Sequence, residues 1–209
     1  MTYHPTGHLL LTPVDHEAPH RVERLRRLGL GEHPDPALDA FARRLAETTR
    51  APYAMVNFID EQRQFFAGLH TPTGTHSTTH TPSGPVGRHM ARDHGYCPHV
   101  VVRRKALVLE DVCDFPRFAG NPVVDEIGIR SYLGAPLLEG TGAALGTVCV
   151  VDTEPRPWGR AGLETIKSLA AELVEQILRR EWPTQDGAGP GPGAHGAYRT
   201  YGAQEAHGA

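Results

Sequence analysis

Apolar residues along this 209-residue chain fall into two periodicities. Where they recur every three or four positions they predict helices. Arg21–Leu30 is the first, with Val22, Leu25 and Leu28 in phase and Gly29 and Gly31 marking its end. Asp35-Pro36 supplies a capping acid and a proline at the first helical position. The helix that follows, Pro36–Arg50, carries Leu38, Phe41, Ala42, Leu45 and Thr49 on one stripe. Arg160–Arg180 is a long amphipathic helix with Leu163, Ile166, Leu169, Ala170, Leu173 and Ile177 inward, stopped by Trp182-Pro183. Short apolar runs between turn residues predict strands instead. These are Tyr53–Asp60 and Gln64–Leu69 around the turn Asp60–Arg63, the short Ala106–Glu110, and a hairpin of Ile129–Leu138 and Ala143–Val151 across Glu139-Gly140-Thr141-Gly142. His89–Val102 predicts one or two short helical turns.

The remaining stretches are polar. Residues 1–20, rich in His, Pro and Thr, predict a flexible arm. Thr71–Arg88 is a Thr/Gly/Pro/Ser tract that reads as a loop or lid, and Asp114–Asn121 is a polar and aromatic loop ending in the turn dipeptide Asn121-Pro122. Gln185–Ala209 has too few apolar residues to fold and predicts a disordered tail, so residues 21–182 form the one domain, with 183–209 outside it. Composition agrees with this plan: 39% hydrophobic and 22% charged residues suit a single soluble core. A net charge of −3 gives no basic field for nucleic acid. No apolar run approaches the roughly 20 residues of a membrane span. Leu9-Leu10-Leu11 is too short for a secretory signal. Three cysteines without tight spacing point to a reducing cytoplasm.

The order DFPRFAGNPVV, IRSYLGAPL, LGTVCVVD, then EPR before a long helix, resembles the GAF domain, a small-molecule sensor module. It is similar to a bacterial branch of it, over roughly Arg21 to Arg180, and FIDEQRQFF resembles that branch's opening hairpin. Ser131 stands where the branch has an aromatic, and Leu133 where it has a small residue. The resemblance implies an α/β (α+β) sandwich with an antiparallel sheet of five to six strands. Counting the predicted strands along the chain, the implied order is 2-1-5-4-3. Pro36–Arg50 and Arg160–Arg180 would cover one face, and the His-rich loop with Asp111–Asn121 would close a ligand cavity on the other.

Strand alternation sorts the side chains between those faces. Val148 and Val150, like Ala54, Val56 and Phe58, form wholly apolar sets expected to meet the helices. The mixed sets Tyr53, Met55, Asn57 and Thr147, Cys149, joined by Ser131 and Leu133, are expected to line the cavity, with Cys97, Arg117 and Asn121 at its rim. Asp111, Asp114, Arg117 and Asn121 admit two readings: polar groups for a ligand, or side chains that tie the loop to its own backbone. Arg130, a guanidinium inside a strand, must face solvent, a ligand or a carboxylate.

Thirteen histidines are many, and His70, His76, His80, His89, His94 and His99 fall within or beside the long loop. None of their spacings repeats a known zinc pattern, so solvated loop histidines and no metal are expected. Haem-binding GAF sensors keep iron open, and no cofactor is assigned. Cys149 reads as a small core residue. Cys97 and Cys113 border the cavity region and are the redox candidates. The arrangement also resembles the free methionine-R-sulfoxide reductase, a GAF enzyme, but where that enzyme has a nucleophilic cysteine just past its F-P this chain reads Arg117-Phe118-Ala119-Gly120-Asn121, which leaves Cys113 as the one substitute nucleophile. GTGAALG lacks the Lys-Ser/Thr of a P-loop, and no G-x-S-x-G occurs. The expected function is therefore a non-enzymatic, small-molecule-sensing regulatory module. Its output would pass through a protein partner or a homodimer built on Arg21–Leu30 and Arg160–Arg180, with Val174 and Leu178 as an exposed apolar patch.

Overall fold

A computed structural model of the chain describes residues 12–72 and 87–181. The first eleven residues of the arm, most of Thr71–Arg88 with His76 and His80, the stop at Trp182-Pro183 and the tail Gln185–Ala209 lie outside the described residues. The described residues form six α-helices and six strands, with a 3-10 turn at Val112–Asp114: α1 Ala18–Arg27, α2 Pro36–Thr49, β1 Tyr53–Ile59, β2 Arg63–His70, β3 His89–Ala91, α3 Cys97–Arg103, β4 Leu107–Leu109, α4 Pro116–Ala119, α5 Pro122–Ile127, β5 Ser131–Leu138, β6 Ala144–Asp152 and α6 Gly159–Glu181.

The strands make one antiparallel sheet in the order β3-β2-β1-β6-β5-β4. The five strands expected from the sequence hold the expected order, and β3 adds a sixth at the edge. This β3 is a correction: His89–Ala91 is extended and pairs with Arg63–Phe65, and the helix expected in this region starts only at Cys97. The first helix likewise starts at Ala18, inside the segment read as an arm. The residues before it are held: Asp15 pairs with the buried Arg21, whose Nε donates to Ile59 O at 2.7 Å.

The helices α2 and α6 cover one face. Asp35 caps α2 by accepting from Ala37 N at 2.8 Å, and Leu38, Phe41, Ala42, Leu45 and Ala46 bury its inner stripe. Each large side chain in that stripe contributes about 1.5–3 kcal/mol by leaving water. The helix approaches the sheet closely at Gly68, where a Cβ would lie 2.3 Å from Leu38 O, so only glycine fits. The core on this face joins α2 residues to Val56, Phe58, Leu133, Leu137, Val148 and Val150, and to Ile166, Leu173, Val174 and Ile177 of α6. Val174 is buried and Leu178 packs against this core, so neither belongs to the exposed patch expected for pairing. The opposite face carries a second core built from Met55, Phe66, Tyr132, Cys149 and Val151, covered by α3, α4, α5 and their loops.

A β-bulge adjusts the end of β6. Leu137 pairs with Gly146 and Leu138 with Ala144, which leaves Leu145 as the extra residue. Leu145 therefore joins the helix-side core and Ala144 the opposite one, against simple alternation.

Candidate functional site

The second face holds a cavity of about 50 Å³, lined by Tyr53, Met55, Phe66, Tyr96, Cys97 and Tyr132 among others. Its walls come from β1, β2, β5 and β6 and from the chain between Met90 and Cys97. A third wall is formed by Val123 and Ile127 of α5 and by Ile129 just after it. The lining is almost wholly apolar, and its polar side chains are those of Gln64, Cys97, Cys149, Tyr53, Tyr96 and Tyr132.

The sheet strands place the deepest groups. Asn57 and Thr147 are cross-strand partners on β1 and β6, and both side chains are fully buried. Asn57 Nδ2 donates to Gln64 Oε1 at 2.9 Å, and the Gln64 amide donates onward to Ala91 O at 2.9 Å and His94 O at 2.6 Å. This chain of bonds fixes the loop after β3 over the sheet. Asn57 Oδ1, Thr147 Oγ1 and the Tyr96 hydroxyl have no hydrogen-bond partner among the described residues. Unpaired buried polar atoms cost roughly 1–3 kcal/mol each, and of these three residues Tyr96 lines the cavity, where a guest or water can satisfy it.

Cys97 opens α3 and points its sulfur at the sheet. Its Sγ lies 3.5 Å from Cys149 Sγ and 3.4 Å from the Tyr132 hydroxyl. The polar neighbours Cys149, Thr147, Tyr132 and Asn57 lower the Cys97 pKa despite burial. The same contact with Cys97, together with burial, raises that of Cys149. Burial also raises Tyr132 well above the usual phenol range.

The loop residues behave as a scaffold. Asn121 caps α5 and clasps Gly95: Gly95 N donates to Asn121 Oδ1 at 2.8 Å, and Asn121 Nδ2 donates to Gly95 O at 3.0 Å. Asp111 accepts from Cys113 N at 3.0 Å and from Arg130 Nε at 3.1 Å, so the carboxylate that Arg130 faces is Asp111. That pairing holds the Asp111 carboxyl below its ordinary range. Arg117 is exposed, its guanidinium 5.9 Å from the Phe118 ring centroid.

Of the nine ligand-site candidates, Cys97 and Cys149 line the cavity, while Asn57 and Thr147 are buried on the same face of the sheet but outside its lining. Asn121 positions its wall, and Asp111 and Arg117 stand outside its lining. Ser131 and Leu133 are corrections. Leu133 packs in the helix-side core, and Ser131 shares its face of β5, buried with Oγ unpaired. The side chain of β5 that faces the cavity is Tyr132. Sequence reasoning also missed Gln64, Phe66 and Tyr96. Tyr132 was legible: Leu133, Ala135 and Leu137 form a wholly apolar set, and the rule applied to β1 and β6 would have sent them to the helices.

Cys113 is exposed and Cys97 buried, and no contact joins these two redox candidates among the described residues. His89 is exposed on β3, and His99 is buried against Phe118, with ring centroids 5.2 Å apart. Among the described residues no three His, Cys, Asp or Glu side chains cluster as metal ligands, and no helix is long and apolar enough to cross a membrane.

Residues 33–177 match the GAF domain profile. Over 174 residues the chain is 32% identical to a cyclic di-GMP phosphodiesterase of Pseudomonas aeruginosa, covering 80% of this chain and only 27% of that protein. The fold is similar to the GAF domain of an Acinetobacter phosphoenolpyruvate-protein phosphotransferase, with a TM-score of 0.52, 17% identity and coverage of 79% and 96% of the two chains. It is also similar to the free methionine-R-sulfoxide reductase of Neisseria meningitidis, with a TM-score of 0.53, 15% identity and coverage of 81% and 94%.

Proposed function

Because this chain belongs to the GAF domain family, we propose that it is a non-enzymatic regulatory module that senses a small molecule in the cavity beneath α3 and α5. The supporting observation is an apolar lining that includes Tyr96, whose buried hydroxyl has no hydrogen-bond partner among the described residues. This combination suits a compact, largely apolar ligand that carries one or two hydrogen-bonding groups. The present volume admits a few waters. A larger guest moves the wall segment between Met90 and Tyr96. That segment is tied to the chain entering α1, since Arg92 donates to Pro13 O at 3.1 Å and faces Asp15 at 3.7 Å. Ligand entry is thereby felt at α1, where a protein partner or a second copy reads it.

Native mass spectrometry of protein from its own host tests this. The wild type should retain a small molecule, and Met55→Trp, which fills the cavity, should lose it. A bare wild-type mass, with no thermal shift across a metabolite panel, overturns the sensor reading. Thiol-dependent turnover of free methionine sulfoxide, or hydrolysis of cyclic di-GMP, overturns its non-enzymatic part.

A further inference from the structure

Two buried sulfur atoms meet at the cavity floor, from segments 52 residues apart in the chain. We propose that Cys97 and Cys149 form a hydroperoxide-responsive dithiol, which closes to a disulfide and so reshapes the sensing cavity. The proposal deepens the sensor reading by giving the same cavity a second input, but its test reads thiols and needs no ligand.

The geometry divides the roles. Cys97 is the attacking sulfur, because its Sγ touches both Cys149 Sγ and the Tyr132 hydroxyl, and these neighbours favour its ionised form. Cys149 has no comparable set of donors, which suits the resolving partner. Both residues line the cavity, and a hydroperoxide is little larger than the waters that the cavity can admit. In the first step the Cys97 thiolate attacks one peroxide oxygen. The O–O bond breaks, Cys97 becomes a sulfenic acid, and the departing hydroxide (or alkoxide) takes a proton to leave as water (or alcohol). In the second, Cys149 attacks Cys97 Sγ and the S–O bond breaks. The sulfenic oxygen leaves as water with the Cys149 proton. Two thiols are oxidised to one disulfide, and the peroxide is reduced. A cellular dithiol reductant reverses the change.

A disulfide sets the sulfurs about 2.05 Å apart. They start 3.5 Å apart, so closure draws the start of α3 toward β6. It also moves the sulfur that the Tyr132 hydroxyl contacts and takes away its proton, so the cavity floor changes shape as well as chemistry.

The test uses the full chain carrying Cys113→Ser, which removes the exposed thiol. Stoichiometric hydrogen peroxide should remove both remaining free thiols and yield a single cross-linked Cys97–Cys149 peptide in non-reducing digests. Adding Cys149→Ser should stop the reaction at a Cys97 sulfenic acid that dimedone traps, and Thr147→Val should slow the first step several-fold. Cys149→Ala serves where the serine variant loses its circular dichroism. In the wild type, oxidation of Cys113 ahead of Cys97, or a Cys97–Cys113 bridge, overturns the proposal. So does a Cys97–Cys149 pair that stays reduced. A bound metabolite with unreactive thiols would leave the sensor reading standing and remove this one.

Discussion

The Tyr132 side chain passes over Gly134, so a Cβ placed on Gly134 would lie 2.2 Å from the Tyr132 hydroxyl. Gly134 pairs across the sheet with Cys149, which explains how the phenol reaches the sulfur pair. Gly134→Ala should therefore destabilise the domain by about 1–3 kcal/mol through overpacking. In a Tyr132→Ala background the same substitution should cost far less. Urea denaturation of the four proteins gives the coupling directly. Equal costs in both backgrounds would separate the glycine from the tyrosine.

Ser131 predicts the opposite sign. Its hydroxyl is buried and unpaired on the helix-side face of β5. Ser131→Ala should leave stability unchanged or raise it by about 1 kcal/mol, since it removes an unsatisfied group. Ser131→Phe, which restores the bulk found in the similar bacterial branch, should destabilise strongly because that face is closed by packing. A ring accepted there without loss of melting temperature would return Ser131 to the cavity.

His99 sets a pH dependence. Burial, with Arg117 and Arg103 nearby, lowers its pKa from the ordinary 6.5 to about 4. The unfolded chain thus binds a proton that the folded chain refuses between these values. The contribution is fully present above about pH 6.5 and is lost as pH falls toward 4. His99→Gln should flatten the stability profile across that window and leave it unchanged above. Denaturant midpoints between pH 4 and pH 7 measure it, and an unaltered slope would place the dependence on other groups.

Asn121 separates two duties. Asn121→Asp keeps the oxygen that caps α5 and accepts from Gly95 N, but loses the donor to Gly95 O. Asn121→Ala loses all of them. Stability should fall in the order wild type, Asp, Ala, by about 0.5–1.5 kcal/mol for the first step and more for the second. A reversed order by thermal melting would contradict the scaffold role given to this side chain.

Much of this architecture was legible in the sequence. The stripe of Leu38, Phe41 and Leu45 and the Asp35-Pro36 start specified α2, and the hairpin runs specified β5 and β6. Alternation placed Asn57, Thr147 and Cys149 on the cavity side because their apolar neighbours named the helix side. On β5 it sends Leu133, Ala135 and Leu137 to the helices and Tyr132 to the cavity, and the placement of Ser131 and Leu133 at the cavity, drawn from the family resemblance, runs against it. It could not foresee Leu145, since a bulge shifts the face of one residue without a mark in composition. Strand β3 was hidden because three residues of His-Met-Ala carry no period, and only their pairing with β2 makes them extended. The contact of Cys97 with Cys149 is a tertiary fact, set by where α3 lands.

The clasp between Asn121 and Gly95 closes the chain on itself across 26 residues, enclosing α3, β4 and the turn at Val112–Asp114. Chain inside such a ring has already surrendered part of its freedom, and ring closure costs grow only with the logarithm of length. The segment bearing Cys97 is thus tethered at both ends, like a drawbridge with one hinge pin. Releasing that side chain loosens the entry to α3 and leaves the bonds from Gln64 to Ala91 and His94 to hold the cavity wall. Exchange of the Gly95 amide with deuterium would time that release, and its rate bounds how quickly any guest, oxidant or reductant reaches the floor of the cavity.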